Sequence, residues 1–250
     1  MTQDVLEHPR SLRATLARMG AAQKPSRGAP PYSVWINRRA GRLIAAAAYL
    51  ARLTPNALTG ISALLTFSGL ALMALVPPVW WLGPAVAALL AAGYAFDSAD
   101  GQLARLRGGG SLRGEWLDHM VDVTKTCLVH IAVLISFFRF GHPGSDLFLL
   151  VPLGYLTVSV VFFFGIMLTD QLRRSRPVPV SAPAGRGVLQ TLVALPADYG
   201  ILCIAFLLAG WRPGFVVIYC VLFAAHGLVL LAGIAKWYRD LRRLDRAAAS

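Results

Sequence analysis

Long apolar runs separated by short polar segments organise the chain. Apolar residues fill about Pro55 to Leu75, Val79 to Leu103, Gly114 to Phe138, Asp146 to Leu168, Val188 to Gly210 and Gly214 to Ala235. Each run is roughly 20 residues, the length at which a helix crosses a hydrocarbon core of about 30 Å. Helices satisfy their backbone polar groups internally, which lipid demands of a spanning segment. The pattern therefore predicts an all-α, polytopic membrane protein with six transmembrane helices. Thr54-Pro55-Asn56 opens the first run, with Pro55 suited to a first helical turn and Thr54 or Asn56 able to cap free amides. Pro77-Pro78 closes that run, and Gly108-Gly109-Gly110 lets the backbone reverse between the second and third.

Residues 1–33 are polar, basic and proline-bearing, and read as a flexible arm. Residues 34–53 change texture: Val34, Trp35, Ile36, Leu43, Ile44, Tyr49 and Leu50 alternate with Arg38, Arg39, Arg42 and Arg52. This suits an amphipathic helix in the headgroup layer, with an ordinary solvated basic helix as the alternative. Residues 54–235 then form the six-helix domain and 236–250 a basic tail. The first forty residues contain no apolar signal-peptide core, so the first spanning helix is expected to anchor the chain.

Composition supports a membrane domain: of 250 residues, 56% are hydrophobic and 14% charged. The net charge of +12 raises nucleic acid as a partner, but the basic residues lie in short segments between apolar runs rather than on a soluble, aromatic-bearing face. No nucleic-acid partner is expected. Of 24 Lys and Arg, 21 fall before Thr54, at 105–113, at 170–188 or after Ala235, all on one side of a six-span topology. The positive-inside rule makes that side, with both termini, cytoplasmic. Cys127, Cys203 and Cys220 lie in apolar runs without a CxxC pair and read as buried small hydrophobes.

Against this background one stretch stands out. Residues 97–122, DSADGQLARLRGGGSLRGEWLDHMVD, hold five of the chain's twelve acidic residues between two apolar runs. Asp97 and Asp100 are three apart and Asp118 and Asp122 four apart, so each pair shares a helix face. Two such helices would make a four-carboxylate pocket, and its mutual repulsion calls for a cation. Oxygen donors imply Mg²⁺, with Mn²⁺ or Ca²⁺ as substitutes; two ions are expected, with open positions for substrate phosphates. Ionisable residues within membrane segments are functional by default.

The spacing Asp97-x2-Asp100-Gly101-x2-Ala104-Arg105-x8-Gly114-x3-Asp118-x3-Asp122 resembles the signature of the CDP-alcohol phosphotransferase family at all eight fixed positions. Chance agreement in one window is on the order of 10⁻¹⁰ from average residue usage. The resemblance implies an integral membrane phosphotransferase of phospholipid synthesis, in which an acceptor hydroxyl attacks a CDP-alcohol and CMP is released. It makes Asp97, Asp100 and Asp118 metal ligands, and Asp122 a ligand or the base that takes the acceptor's proton. Gly101 would admit the nucleotide close to the backbone, Ala104 would keep the pocket wide, and Arg105 would pair with phosphate or fix an aspartate; Gly114 completes the pattern. A Pro-Asn pair before the first membrane helix is also common in the family, which makes Asn56 and Thr59 candidates for nucleotide binding. Members commonly form homodimers.

The run Gly114-Glu115-x2-Asp118-His119 is similar to the branch that transfers phosphocholine or phosphoethanolamine to diacylglycerol, and brings in Glu115 and His119 as direct participants or as support. Chain size and helix count instead resemble bacterial enzymes that pair CDP-diacylglycerol with a polar acceptor, implying the bacterial cell membrane. Lys125, Arg173, Arg174, Arg176 and Arg186 are available for such an acceptor, although topology alone accounts for the four arginines. The favoured expectation is phosphatidyl transfer from CDP-diacylglycerol. Transfer from a soluble CDP-alcohol is the alternative, and a cation-coupled transporter a distant third.

Overall fold

In the computed structural model, residues 15–17, 19, 32–175 and 195–248 are described, and their regular structure is entirely helical. A π-helical turn, Ser33–Asn37, leads into α1 (Arg38–Leu50). Then come α2 (Pro55–Leu75), α3 (Leu82–Leu106), α4 (Leu112–Phe140) and α5 (Leu150–Arg174). The last two are α6 (Tyr199–Ala205), continued by a 3₁₀ turn at Phe206–Leu208, and α7 (Arg212–Ala248).

Five helical segments, corresponding to α2, α3, α4, α5 with the 3₁₀ turn before it, and α7, are long and apolar enough to cross a membrane. The fifth of the six expected crossings, Val188 to Gly210, is only partly within the described residues. Its helical part, Tyr199–Leu208, has the ten residues that give a rise of about 15 Å, half a bilayer core. Large apolar side chains such as Leu64, Phe138, Phe164, Val217 and Leu228 stand exposed on the long helices. Water would penalise that outward face, and lipid accepts it.

The local chemistry of the helix ends follows the residues there. Thr54 Oγ1 accepts from the Ala57 amide at 3.1 Å, so Thr54 rather than Asn56 is the cap of α2, with Pro55 in its first turn. Ser111 Oγ accepts from the Gly114 amide at 3.1 Å and caps α4. Between α3 and α4 the chain reverses through Gly108 and Gly109, with φ of +96° and +128°, values that L side chains rarely adopt. This reversal brings the two halves of the acidic stretch face to face.

The main core joins α2, α3, α4, α6 and α7 through Met73, Leu90, Val133, Phe206 and Phe215, all fully buried. Helices α2 and α3 approach closely at Gly93: Ser62 Oγ donates to its carbonyl at 2.7 Å, and a Cβ at Gly93 would run into Thr66. Helix α1 packs small residues, Gly41, Ala45 and Ala48, inward and leaves Leu43 exposed, as are Trp35 and Ile36 in the π-helical turn before it. Buried Asp198 accepts from the amides of Tyr32 at 3.2 Å and Gly200 at 3.0 Å, tying the entry to α1 to the start of α6.

Deep in the bundle, the imidazole of His130 on α4 is matched on both sides. Its Nδ1 lies 2.7 Å from the Tyr219 hydroxyl on α7, and its Nε2 lies 2.9 Å from the Ser159 hydroxyl on α5. A neutral imidazole offers one donor and one acceptor nitrogen, so both hydroxyls are served and three helices are linked. Tyr219→Phe leaves one ring nitrogen without its partner in a site that water cannot reach. It is expected to destabilise the protein by about 1–2 kcal/mol, read as a lower melting temperature in detergent; an unchanged melting temperature would show that the link carries no stability.

Candidate active site

Asp97 and Asp100 project from the C-terminal part of α3, and Asp118 and Asp122 from the first turns of α4. Lys125 bridges the two halves, from Asp97 on α3 to Asp122 on α4, and two of the four carboxylates border a common cavity. Asp100 and Asp118 line a cavity of about 670 Å³, whereas Asp97 and Asp122 are not part of its wall. Those two accept hydrogen bonds from Lys125 Nζ, which contacts Asp97 Oδ1 closely and lies 3.2 Å from Asp122 Oδ1. Lys125 also donates to Ser62 Oγ at 3.0 Å. The sequence reading had offered Lys125 to a polar acceptor. Its burial, and its position one helical turn beyond Asp122, turn it into the carboxylates instead.

Thr59 also has a partner in the acidic group. Its hydroxyl lies 2.6 Å from Asp100 Oδ2 and 3.2 Å from the Pro55 carbonyl, and it is almost fully buried. It touches the cavity, but the contact it makes is with Asp100, which it helps to hold on α3. Asn56 lines the cavity one turn earlier, and its Oδ1 faces Gly114: a Cβ there would lie 3.3 Å away. Gly101 and Ala104 form the cavity wall on α3. A Cβ on Gly101 would have only the Arg105 Nη1, at 3.4 Å, within contact range, so the space in front of it is open to a ligand.

The opposite charge is close by. Arg105, Arg107, Arg113 and Arg174 all reach the cavity. The Arg105 Nε is buried and has no hydrogen-bond partner among the described residues, so part of that guanidinium's donor capacity is unspent. Arg174 Nη1 donates to Glu115 Oε1 at 3.1 Å, and His119 Nε2 stands 3.9 Å from the same oxygen. Glu115, His119 and Arg174 thus make one cluster joining α4 to α5 at the cavity. Arg173 turns the other way, donating to Asp240 on α7 at 2.6 Å. Arg176 and Arg186 lie outside the described residues.

The donor set suits a hard divalent cation. Ligand atoms of Asp118, His119 and Asp122 all lie within 4.8 Å of one another. Trans ligands of an octahedral Mg²⁺ stand about 4.2 Å apart, so the spread is close to that of a first coordination shell. The acidic residues of both helices and four arginines around one cavity define a class: a helical membrane protein built to hold a polyanionic, phosphate-bearing substrate beside a cation.

The CDP-alcohol phosphatidyltransferase family model matches residues 52–235. The chain belongs to that family and is a transferase of substituted phosphate groups, acting in phospholipid synthesis. Among solved structures it is similar to phosphatidylinositol phosphate synthase (PgsA1) of Mycobacterium tuberculosis with CDP-DAG bound. The TM-score is 0.51 at 23% identity, over 81% of this chain and 94% of that one, a likeness of fold. No curated protein matches the chain.

Asp100→Asn and Asp118→Asn keep size and shape while removing charge from the cavity wall. Each is expected to lower CMP release by at least about 100-fold, as loss of a metal-held transition-state interaction would, with the melting temperature retained. Turnover within about twofold of the unsubstituted protein, on that same scale, would remove these carboxylates from the chemistry.

Proposed function

We propose that the protein transfers a phosphatidyl group from CDP-diacylglycerol to the hydroxyl of a polar acceptor, releasing CMP, at the cytoplasmic face of a bacterial membrane. The observation that carries this reading is the cavity in which Asp100 and Asp118 face Arg105, Arg107, Arg113 and Arg174. A pyrophosphate needs both kinds of partner, cations for its oxygens and a carboxylate-bound metal for the departing phosphate. The basic ends of the apolar segments support the cytoplasmic placement. The exposed Leu43 of α1, with Trp35 and Ile36 in the turn before it, supports its lying in the headgroup layer.

In this reading Asp100, Asp118 and Asp122 hold Mg²⁺, or Mn²⁺ in its place, and Asp97 completes the acidic group. The ion, when bound, neutralises the pyrophosphate and the CMP that leaves. Arg105 directs its unspent donor capacity to phosphate oxygens, and Gly101 and Ala104 leave room for the nucleotide, with Asn56 at the cavity's edge. Of Asp122, His119 and Glu115, only the last two line the cavity. Mg²⁺ prefers oxygen donors, which frees His119 to accept the acceptor's proton. Glu115 then orients His119 and restrains Arg174. Catalysis is mostly positioning and charge neutralisation, since the attacking oxygen must approach an anionic phosphorus.

One specific observation favours a second reading. Glu115 and His119, which carry the resemblance to the branch that uses soluble CDP-choline or CDP-ethanolamine with diacylglycerol, stand together at the cavity beside Arg174. Purified protein with Mg²⁺ is expected to release CMP from CDP-diacylglycerol plus a pool of polar alcohols. Release only from CDP-choline or CDP-ethanolamine plus diacylglycerol would overturn the first reading in favour of the second. Transport without any CMP would overturn both.

A further inference from the structure

Lys125 is a cationic side chain in direct contact with carboxylates from both halves of the acidic stretch. It sits on α4, one turn past Asp122, and reaches across to Asp97 on α3. It is 6% exposed, among the few charged groups so deeply placed. An ammonium has three hydrogens, and Lys125 has three acceptors for them: Asp97 Oδ1, Asp122 Oδ1 and Ser62 Oγ. Ser62 is itself oriented, because its hydroxyl donates to the Gly93 carbonyl and so turns a lone pair toward Lys125. The cradle is therefore built from α2, α3 and α4 together. A long flexible side chain that merely covered apolar surface would keep its charged end in water. This one carries its charge inward to a satisfied site.

We propose that the Lys125 ammonium is a built-in cation of the carboxylate cluster. It takes the position between Asp97 and Asp122 that a metal would otherwise take, so the chain binds one divalent ion where four carboxylates would hold two. The inference rests on the metal-site reading above and deepens it. A divalent ion bridging Asp97 and Asp122 would stand against the ammonium, and like charges in a site shielded from water repel strongly. The ion that remains belongs with Asp118 and Asp122, whose ligand atoms lie close together, toward Asp100. Lys125 also keeps α3 and α4 together when that ion leaves, since the Asp97 and Asp122 charges stay neutralised.

The test counts ions rather than turnover. The full chain, purified in detergent, is titrated with Mn²⁺ alone, and free Mn²⁺ is followed by electron paramagnetic resonance. The unsubstituted protein is expected to bind one Mn²⁺ per chain and Lys125→Met two. In chelator, Lys125→Met is expected to melt below the unsubstituted protein, with Mn²⁺ closing the gap. If Lys125→Met does not fold, Lys125→Gln, which keeps a donor but not the charge, takes its place with the same expected count. Two ions in the unsubstituted protein, or one in both proteins, would overturn the inference while leaving the metal site standing. No Mn²⁺ bound by the unsubstituted protein would overturn the metal-site reading itself, and the inference with it.

Discussion

Carboxylates gathered inside a bundle of apolar helices must have cations or donors at contact distance, and much of the site's architecture follows from that requirement. An isolated ionised carboxylate in such surroundings is costly, and two facing each other cost more. Here Asp97, Asp100 and Asp122 have partners at hydrogen-bond distance. Asp100 has the Thr59 hydroxyl; Asp97 and Asp122 have Lys125. These partners come from different helices, so meeting the electrostatic demand also sets how the helices sit. Thr59 and Ser62 are on one side of α2, Lys125 is on α4, and both reach toward α3. The reversal through Gly108 and Gly109 joins α3 to α4, α2 packs closely against both, and the Ser62–Gly93 contact brings α2 close enough for its hydroxyls to serve.

The same arrangement separates two tasks. Lys125 faces the interior and contacts Asp97 and Asp122, while the cavity side keeps Asp100 and Asp118 beside arginines. A polyanionic substrate entering there meets positive charge without having to displace an internal salt bridge at every position. The exception is Arg174, which already holds Glu115 and links α4 to the end of α5. Arg173, one residue earlier, points to α7 and joins α5 to the basic helix that extends past the apolar core.

Away from the site, polar groups in the bundle follow the same rule by other means. His130, Tyr219 and Ser159 satisfy one another among α4, α5 and α7. Asp198 spends both oxygens on backbone amides at the start of α6 and the entry to α1. These contacts join segments far apart in the chain, and none was signalled by a local pattern.

Helix content, membrane character and the family signature were legible along the chain because each depends on local regularities. An apolar run of bilayer length needs no partner to be recognised, and Thr54, Pro55, Ser111 and the glycine run mark helix ends and a reversal by their own conformational preferences. Spacing likewise placed Asp97 with Asp100 and Asp118 with Asp122 on shared faces. Tertiary structure decided which carboxylates line the cavity, that Thr59 serves Asp100, that Lys125 belongs to the acidic cluster and that Arg173 and Arg174 diverge. The fifth apolar run shows the same limit: its composition suggested a crossing, while its described helical part spans half that distance. Periodicity reports the face of a helix on which a side chain lies; only the packing of α2, α3, α4 and α5 sets which opposite charge or hydroxyl meets it there.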